Sequence, residues 1–195
     1  KNAENDLGAI WLYSLEMRKS RQLLDNRYSN SSPVFSKCGR YLFFSSLRDF
    51  NWTFSGFEFD YVFNNGTRLF AVSLDKSAPN LFVDKNDVEA VKSDDSGGGK
   101  KTETKEEEKK KNEKEEIKAL KVDFEGIESR VMVLPLPAAN YQPVAALDGK
   151  LLYFNDGGLY LFDLEKKKSE LVVNRIRGVA LSRDGKKLLY RSGKD

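Results

Sequence analysis

One fifteen-residue pattern constrains this chain more than any other. "SPVFSKCGRYLFFSS" occupies residues 32–46, "GVALSRDGKKLLYRS" occupies 178–192, and a shortened "PVAALDGKLLYFND" occupies 143–156. Each has an apolar run, a polar turn closed by Gly, a basic residue and a second apolar run. Such internal repetition is the signature of architectures built by stacking one supersecondary unit. In Arg40-Tyr41-Leu42-Phe43-Phe44 and in Leu151-Leu152-Tyr153-Phe154 both alternating faces are apolar. A strand of that kind must be covered on both sides, so it belongs inside a stack of sheets.

A second pattern alternates with the first. "AIWLYSLEMRKSRQLL" (9–24), "RLFAVSLDKSAPNLFV" (68–83) and "GLYLFDLEKKKSELVV" (158–173) each start aliphatic–aromatic. Each then reaches Ser-Leu or Asp-Leu, a charged turn and a second apolar run; "LKVDFEGIESRVMVLPL" (120–136) is a looser version. These read as hairpins, with aromatic and β-branched strands split by Asp, Gly, Lys or Ser turns. Two hairpins make a four-stranded sheet, and radial repetition of such sheets is the blade arrangement of a β-propeller. An ordinary β-sandwich is the competing reading. The fold class is therefore all-β: a partial propeller arc of about three four-stranded blades, fewer than the roughly four to eight of a closed ring.

Two segments interrupt the rhythm. In "LRDFNWTFSGFEFDYVFNN" (47–65) the aromatics Phe57, Phe59, Tyr61 and Phe63 alternate, which predicts a strand with one aromatic face. That strand is either an elaborated blade strand packed on its neighbour or a stacking surface for peptide or sugar. Residues 85–119 hold a Gly run, few apolar side chains and dense mixed charge. Such a stretch cannot bury enough surface to offset its ordering entropy. The expected organisation is propeller at 1–84, a disordered charged insertion at 85–119, and propeller again at 120–195.

The chemistry-bearing residues are sparse. Cys38 is the single cysteine among 195 residues, so no internal disulfide or thiolate metal cluster can form. It falls in a turn where a small polar residue would also fit. Histidine is absent, which removes the usual general base and the usual zinc ligand. Asp148, Asp156 and Asp184 occupy turns, where Asp is favoured by local backbone hydrogen bonds. The Gly run at 97–99 lies in low-complexity sequence, follows no strand and does not make the G-x-x-x-x-G-K-S/T spacing of a phosphate loop. Three glycosylation sequons begin at Asn30, Asn51 and Asn65, and chance accounts for them. No catalytic, cofactor-binding or metal site is assigned, and no cofactor is expected. The 33 basic and 30 acidic residues nearly balance and show no cationic stripe, so a nucleic-acid partner is not expected. No apolar stretch approaches the ~20 residues of a membrane helix, and "KNAENDLGAI" is not a signal peptide.

In order along the chain, "SPVFSKCGRYLFFSSLRDFN", "FEFDYVFNNGTRLFAVSL", the Lys/Glu-rich insertion and "KVDFEGIESRVMVLPLPAANY" resemble the Tricorn protease family. The stretch 123–141 is the most specific part, whereas the Gly-closed turns are shared by many propellers. The resemblance implies the later part of a second, seven-bladed propeller in a multidomain serine peptidase. In that setting the propeller would gate or guide peptides toward a catalytic site in later domains, and this segment would carry no catalytic residue. The implied partners are peptides in transit and the remaining blades and catalytic domains of the parent protein, itself a homo-oligomer. The absence of disulfides fits a cytoplasmic location. A non-enzymatic Tol-type interaction propeller and the propeller of a prolyl-oligopeptidase-like enzyme are the alternatives.

Overall fold

The computed structural model describes residues 6–49, 52–56, 60–63, 65–82 and 120–192, with backbone alone at 53, 55 and 60–63. The strands in chain order are β1 (Trp11–Ser14), β2 (Lys19–Gln22), β3 (Ser29–Phe35), β4 (Tyr41–Leu47), β5 (Trp52–Ser55), β6 (Asp60–Phe63) and β7 (Thr67–Ser73). A 3-10 turn (Ile127–Arg130) follows, then β8 (Val131–Val133), β9 (Tyr141–Leu147), β10 (Lys150–Asn155), β11 (Gly158–Asp163), β12 (Lys168–Val173), β13 (Ile176–Leu181) and β14 (Leu188–Ser192). Among the described residues every strand pairing is antiparallel. Two four-stranded sheets, β3-β4-β7-β8 and β9-β10-β11-β12, are flanked in sequence by the two-stranded β1-β2 and β13-β14. This is a propeller arc, with two whole blades between two half-blades.

The double-faced strands fill the roles their alternation demands. From β4, Leu42 and Phe44 enter a core with Ile10, Leu23 and Leu24 of the β1-β2 hairpin and its continuation. Tyr41 and Phe43 enter a second core with Leu151, Tyr153 and Phe162 of the next sheet. Leu152 and Leu159 continue into a third core with Ile176. Phe44 and Phe70 stack at 5.7 Å between ring centroids on the first side. Each whole sheet is thus sandwiched, and hydrophobic burial on both faces holds the arc together.

Two elements differ from the expected hairpins. The run expected as a hairpin at 68–83 does not fold back on itself over its described part, 68–82. Beyond Asp75, which accepts the Ser77 N–H at 2.8 Å, the chain meets Pro79, and Asn80 Oδ1 takes the Phe82 N–H at 2.9 Å. Proline and a local Asx turn both divert the backbone from a strand. Leu81 and Phe82 therefore pack on the second core as loop residues. The fourth strand comes instead from 120–136: Phe70 pairs with Val133 and Val72 with Val131. Only 131–133 of that looser repeat is extended; Val122, Phe124 and Ile127 lie on the first core. The aromatic segment also differs, because it makes two strands rather than one. Its β5 pairs with β6 in a separate hairpin, Trp52 opposite Phe63 and Phe54 opposite Tyr61. The side chains of Phe57, Phe59, Tyr61 and Phe63, and the whole of 85–119, lie outside the described residues.

Candidate functional surface

The sheets have two ends, and each connection leaves from one of them. One end carries the Gly-closed turns 36–40, 148–149 and 182–186, together with the connections 74–130 and 163–168. The other carries 48–66, 134–140, 155–158 and 173–176. The described arms of the 74–130 connection and the aromatic hairpin therefore leave from opposite ends of one sheet. Nothing in the local sequence pattern announces this, because it follows from strand order.

The charged connection has a pinned base. Lys76 donates its backbone N–H to Asp123 Oδ2 at 3.0 Å and places Nζ 2.7 Å from Glu125. Lys121 Nζ lies 3.3 Å from Asp123 and 3.6 Å from Asp75. The Asp123 carboxyl is held below its ordinary range by the Lys76 N–H, and Asp75 by the Ser77 N–H first and Lys121 after it. Behind these charges the Asp123 N–H reaches the Leu74 carbonyl at 2.8 Å, so both arms of the connection are tied to the end of β7.

The aromatic hairpin has a neck of its own. Arg48 and Asp49 both donate backbone N–H groups to the Gly66 carbonyl, at 3.2 and 3.1 Å. Asp49 pairs with Arg68, whose guanidinium also donates to the Leu136 carbonyl at 3.2 Å. A Cβ on Gly66 would lie 2.6 Å from the Asp49 carbonyl oxygen, so only glycine lets these strands meet. Arg48 lies over Phe70 at 4.1 Å and Tyr28 at 4.7 Å, a cation–π sandwich sealing the first core. Burial lowers the pKa of its guanidinium. Beyond the neck, Trp52 and Phe54 are more than half and about half exposed, respectively.

The Gly-closed turns explain the opening repeat. Ser36 Oγ accepts the Tyr41 N–H at 2.9 Å and lies 3.4 Å from Cys38 Sγ. Ser182 Oγ accepts the Lys187 N–H at 2.9 Å and donates to Asp184 Oδ1 at 2.6 Å. Cys38 thus holds the place of Asp184, exposed and in a structural turn. Ser182 and the Lys186 N–H hold the Asp184 carboxyl below its ordinary range. The Ser-Leu and Asp-Leu signatures are latches to these turns: Leu74 donates to the Arg40 carbonyl at 2.9 Å and Leu164 to the Gly149 carbonyl at 3.0 Å. Asn30 is buried and its Nδ2 donates to the Tyr28 carbonyl, so that sequon is closed to a glycan. Among the described residues no three His, Cys, Asp or Glu side chains are grouped to hold a metal.

The first strands of the two whole sheets come closest together. Across the gap between the whole sheets β9 approaches β3 most, then β4, then β7. The sheets therefore converge at their first strands, which mark the axial side, and fan apart toward β8 and β12. This feature was invisible in sequence, although Pro33 and Pro143 hinted at it, since proline within a sheet is confined to edges and bulges.

An antiparallel four-stranded unit, repeated about a side where first strands converge, defines a β-propeller. The chain matches, over residues 1–195, the family described as Tricorn protease second beta propeller domain. It belongs to that family. It is 28% identical over 185 aligned residues to the tricorn protease homolog 2 of Streptomyces coelicolor, covering 85% of this chain and 15% of that protein. It also superimposes on the crystal structure of the tricorn protease with a TM-score of 0.69 at 17% identity, covering 98% of this chain and 18% of that one. The chain thus spans less than a fifth of either relative.

Proposed function

We propose that this propeller segment is a non-catalytic part of a Tricorn-like serine peptidase, guiding or gating peptides toward a catalytic site in other domains. The observation that carries the reading is family membership joined to an axial side lined by mostly uncharged first strands. The absence of histidine from all 195 residues supports a silent role, since no Ser-His or Cys-His pair can form within it. Guidance would act by holding peptides near a distant nucleophile and so raising effective concentration. Residues 85–119 act as a removable insertion in the β7–β8 connection. The remaining blades, the catalytic domains and further copies of the parent protein are its partners, in the cytoplasm.

The reading is tested in the full-length protein by narrowing the axial side with Ser31→Trp and Ala180→Trp. Turnover of peptides of about ten residues should fall at least tenfold, with turnover of a small chromogenic amide unchanged. Equal loss for both substrates, or for neither, would refute guidance. The excised segment should hydrolyse neither substrate.

A further inference from the structure

The first strands share an irregularity that, among the other described strands, only β12 repeats, with Val172 as its extra residue. In β3 the register slips between Ser31 and Val34, leaving two residues opposite one. In β13 it slips between Ile176 and Val179, and in β9 one extra residue, Val144, falls between the partners of Tyr153 and Leu152. All three axial strands therefore carry a β-bulge. Ser32 and Gly178 stand at equivalent places before the turn glycines Gly39 and Gly185, and both have positive φ, 51° and 87°. Pro33 and Pro143 likewise stand at equivalent places before Gly39 and Gly149.

These features act on a single property of an edge. A regular edge strand offers a periodic row of unpaired N–H and C=O groups, and an extended chain can add to it as a further strand. A bulge breaks the period and twists the edge; proline removes one donor outright. Charge points the same way. Across β3, β9 and β13 the one charged side chain is Arg177, whereas the opposite-edge strands β2 and β12 carry Lys19, Arg21, Lys168 and Glu170; the three-residue opposite edge β8 carries none. Exposed groups on the axial strands include Ser31, Pro33, Phe35, Gln142 and Ala180, which offer little to hold a particular sequence.

We infer that the axial edges are blunted against strand addition, so that extended polypeptide of any sequence passes them without being retained. This rests on the guidance reading above and sharpens it. A passage lined by regular edges would capture chains through their backbones and slow their release, since affinity differences reside mostly in the off-rate. Blunted, neutral edges keep that residence short.

The test measures binding rather than turnover, so it fails separately from the guidance reading. An end-blocked, fluorescent decapeptide of alternating Thr and Val serves as probe, checked intact by mass spectrometry. Its twin, N-methylated at alternate residues, cannot pair along both edges. In the full-length protein, wild type should bind both equally weakly by fluorescence anisotropy. Pro33→Thr with Pro143→Thr restores two donors and should tighten the unmethylated probe at least about tenfold, leaving the twin unchanged. Because Pro143 is buried, exposed Pro33→Thr alone is the second variant, with a gain of several-fold expected. A wild type that already prefers the unmethylated probe tenfold would overturn the inference. So would a folded Pro33→Thr protein that treats the two probes alike.

Discussion

The two whole sheets share one topology and are wired differently. In β9-β10-β11-β12 every strand is joined to the next by a short turn, and each hydrogen-bonded neighbour is also a sequence neighbour. In β3-β4-β7-β8 the second and third strands are separated by the aromatic hairpin, and the third and fourth by the 74–130 connection. Both nonetheless bury their central strands on two faces and latch the third strand to the first turn through Leu74 or Leu164. The lesson is that blade integrity resides in double-sided cores and latches, so excursions are tolerated wherever their necks are pinned. The interrupted sheet should then be more vulnerable at its necks than within its loops.

The largest effect is expected at the shared core. Phe44 is wholly buried and stacked on Phe70, so Phe44→Ala should cost about 3–5 kcal/mol by denaturant unfolding. Phe162→Ala in the continuous sheet should cost a similar amount, since it too is fully buried. The two should differ in reach. Phe44 shares its core with Val122, Phe124 and Ile127, on the far side of the insertion. Phe44→Ala should therefore accelerate hydrogen exchange at the Asp123 amide, and Phe162→Ala should leave it protected. Equal loosening in both variants would contradict the separation of the cores.

The necks come next. Gly66→Ala forces a Cβ against the Asp49 carbonyl and Leu47, at 2.6 and 2.7 Å, and should cost about 1–3 kcal/mol. The corresponding connection of the continuous sheet contains Gly157, with open space about its Cβ and φ of 76°. There the substitution meets only backbone strain, about 1 kcal/mol. Thermal unfolding of both variants ranks the two mechanisms, and a costlier Gly157→Ala would remove the case for a pinned neck.

A smaller effect should follow shortening of the insertion. Replacing 85–119 by a Gly/Ser linker about a quarter as long relieves loop-closure entropy, about 0.6 kcal/mol per halving, and so should raise stability by about 1 kcal/mol. The pinned base, Lys76 with Asp123 and Glu125, remains in place to close the shorter loop. A marked loss of stability would show that the insertion supplies contacts to the blade.

How much of this was legible in sequence varied with the range of the interaction. The turns 36–40, 148–149 and 182–186 and the doubly covered strands beside them could be read locally, because period-two apolarity on both faces has one solution. The partner of β7 could not. Val131–Val133 is three residues long with Val133 exposed, and it lies across the whole 74–130 connection. The apparent continuation had the apolar residues of a strand, but Pro79 and the Asn80 turn diverted it through Phe82. The axial edges were similarly hidden, because a bulge shows itself only against a partner. Ser32 gave no sign of positive φ; the glycine at the equivalent Gly178 was the one available clue.

The smallest effect concerns the repeated turn itself, where Cys38 in one copy stands in the place of Asp184 in the other. Asp184 receives the Ser182 hydroxyl and the Lys186 N–H, while Cys38 offers Ser36 only a sulfur at 3.4 Å. Cys38→Asp should therefore give the first turn the bonds of the last one, raising Tm by about 1–2 °C. The gain has a defined pH dependence. A carboxyl whose folded pKa lies below its unfolded value, near 3.9, contributes stability that is fully present above that value. That contribution is lost as pH falls through the folded pKa. Because Asp184 is held low by the same partners, the advantage of Cys38→Asp should be complete at pH 6 and vanish on acidification below the carboxylate range. A gain that persists in acid would assign it to removal of the thiol, which Cys38→Ser measures directly.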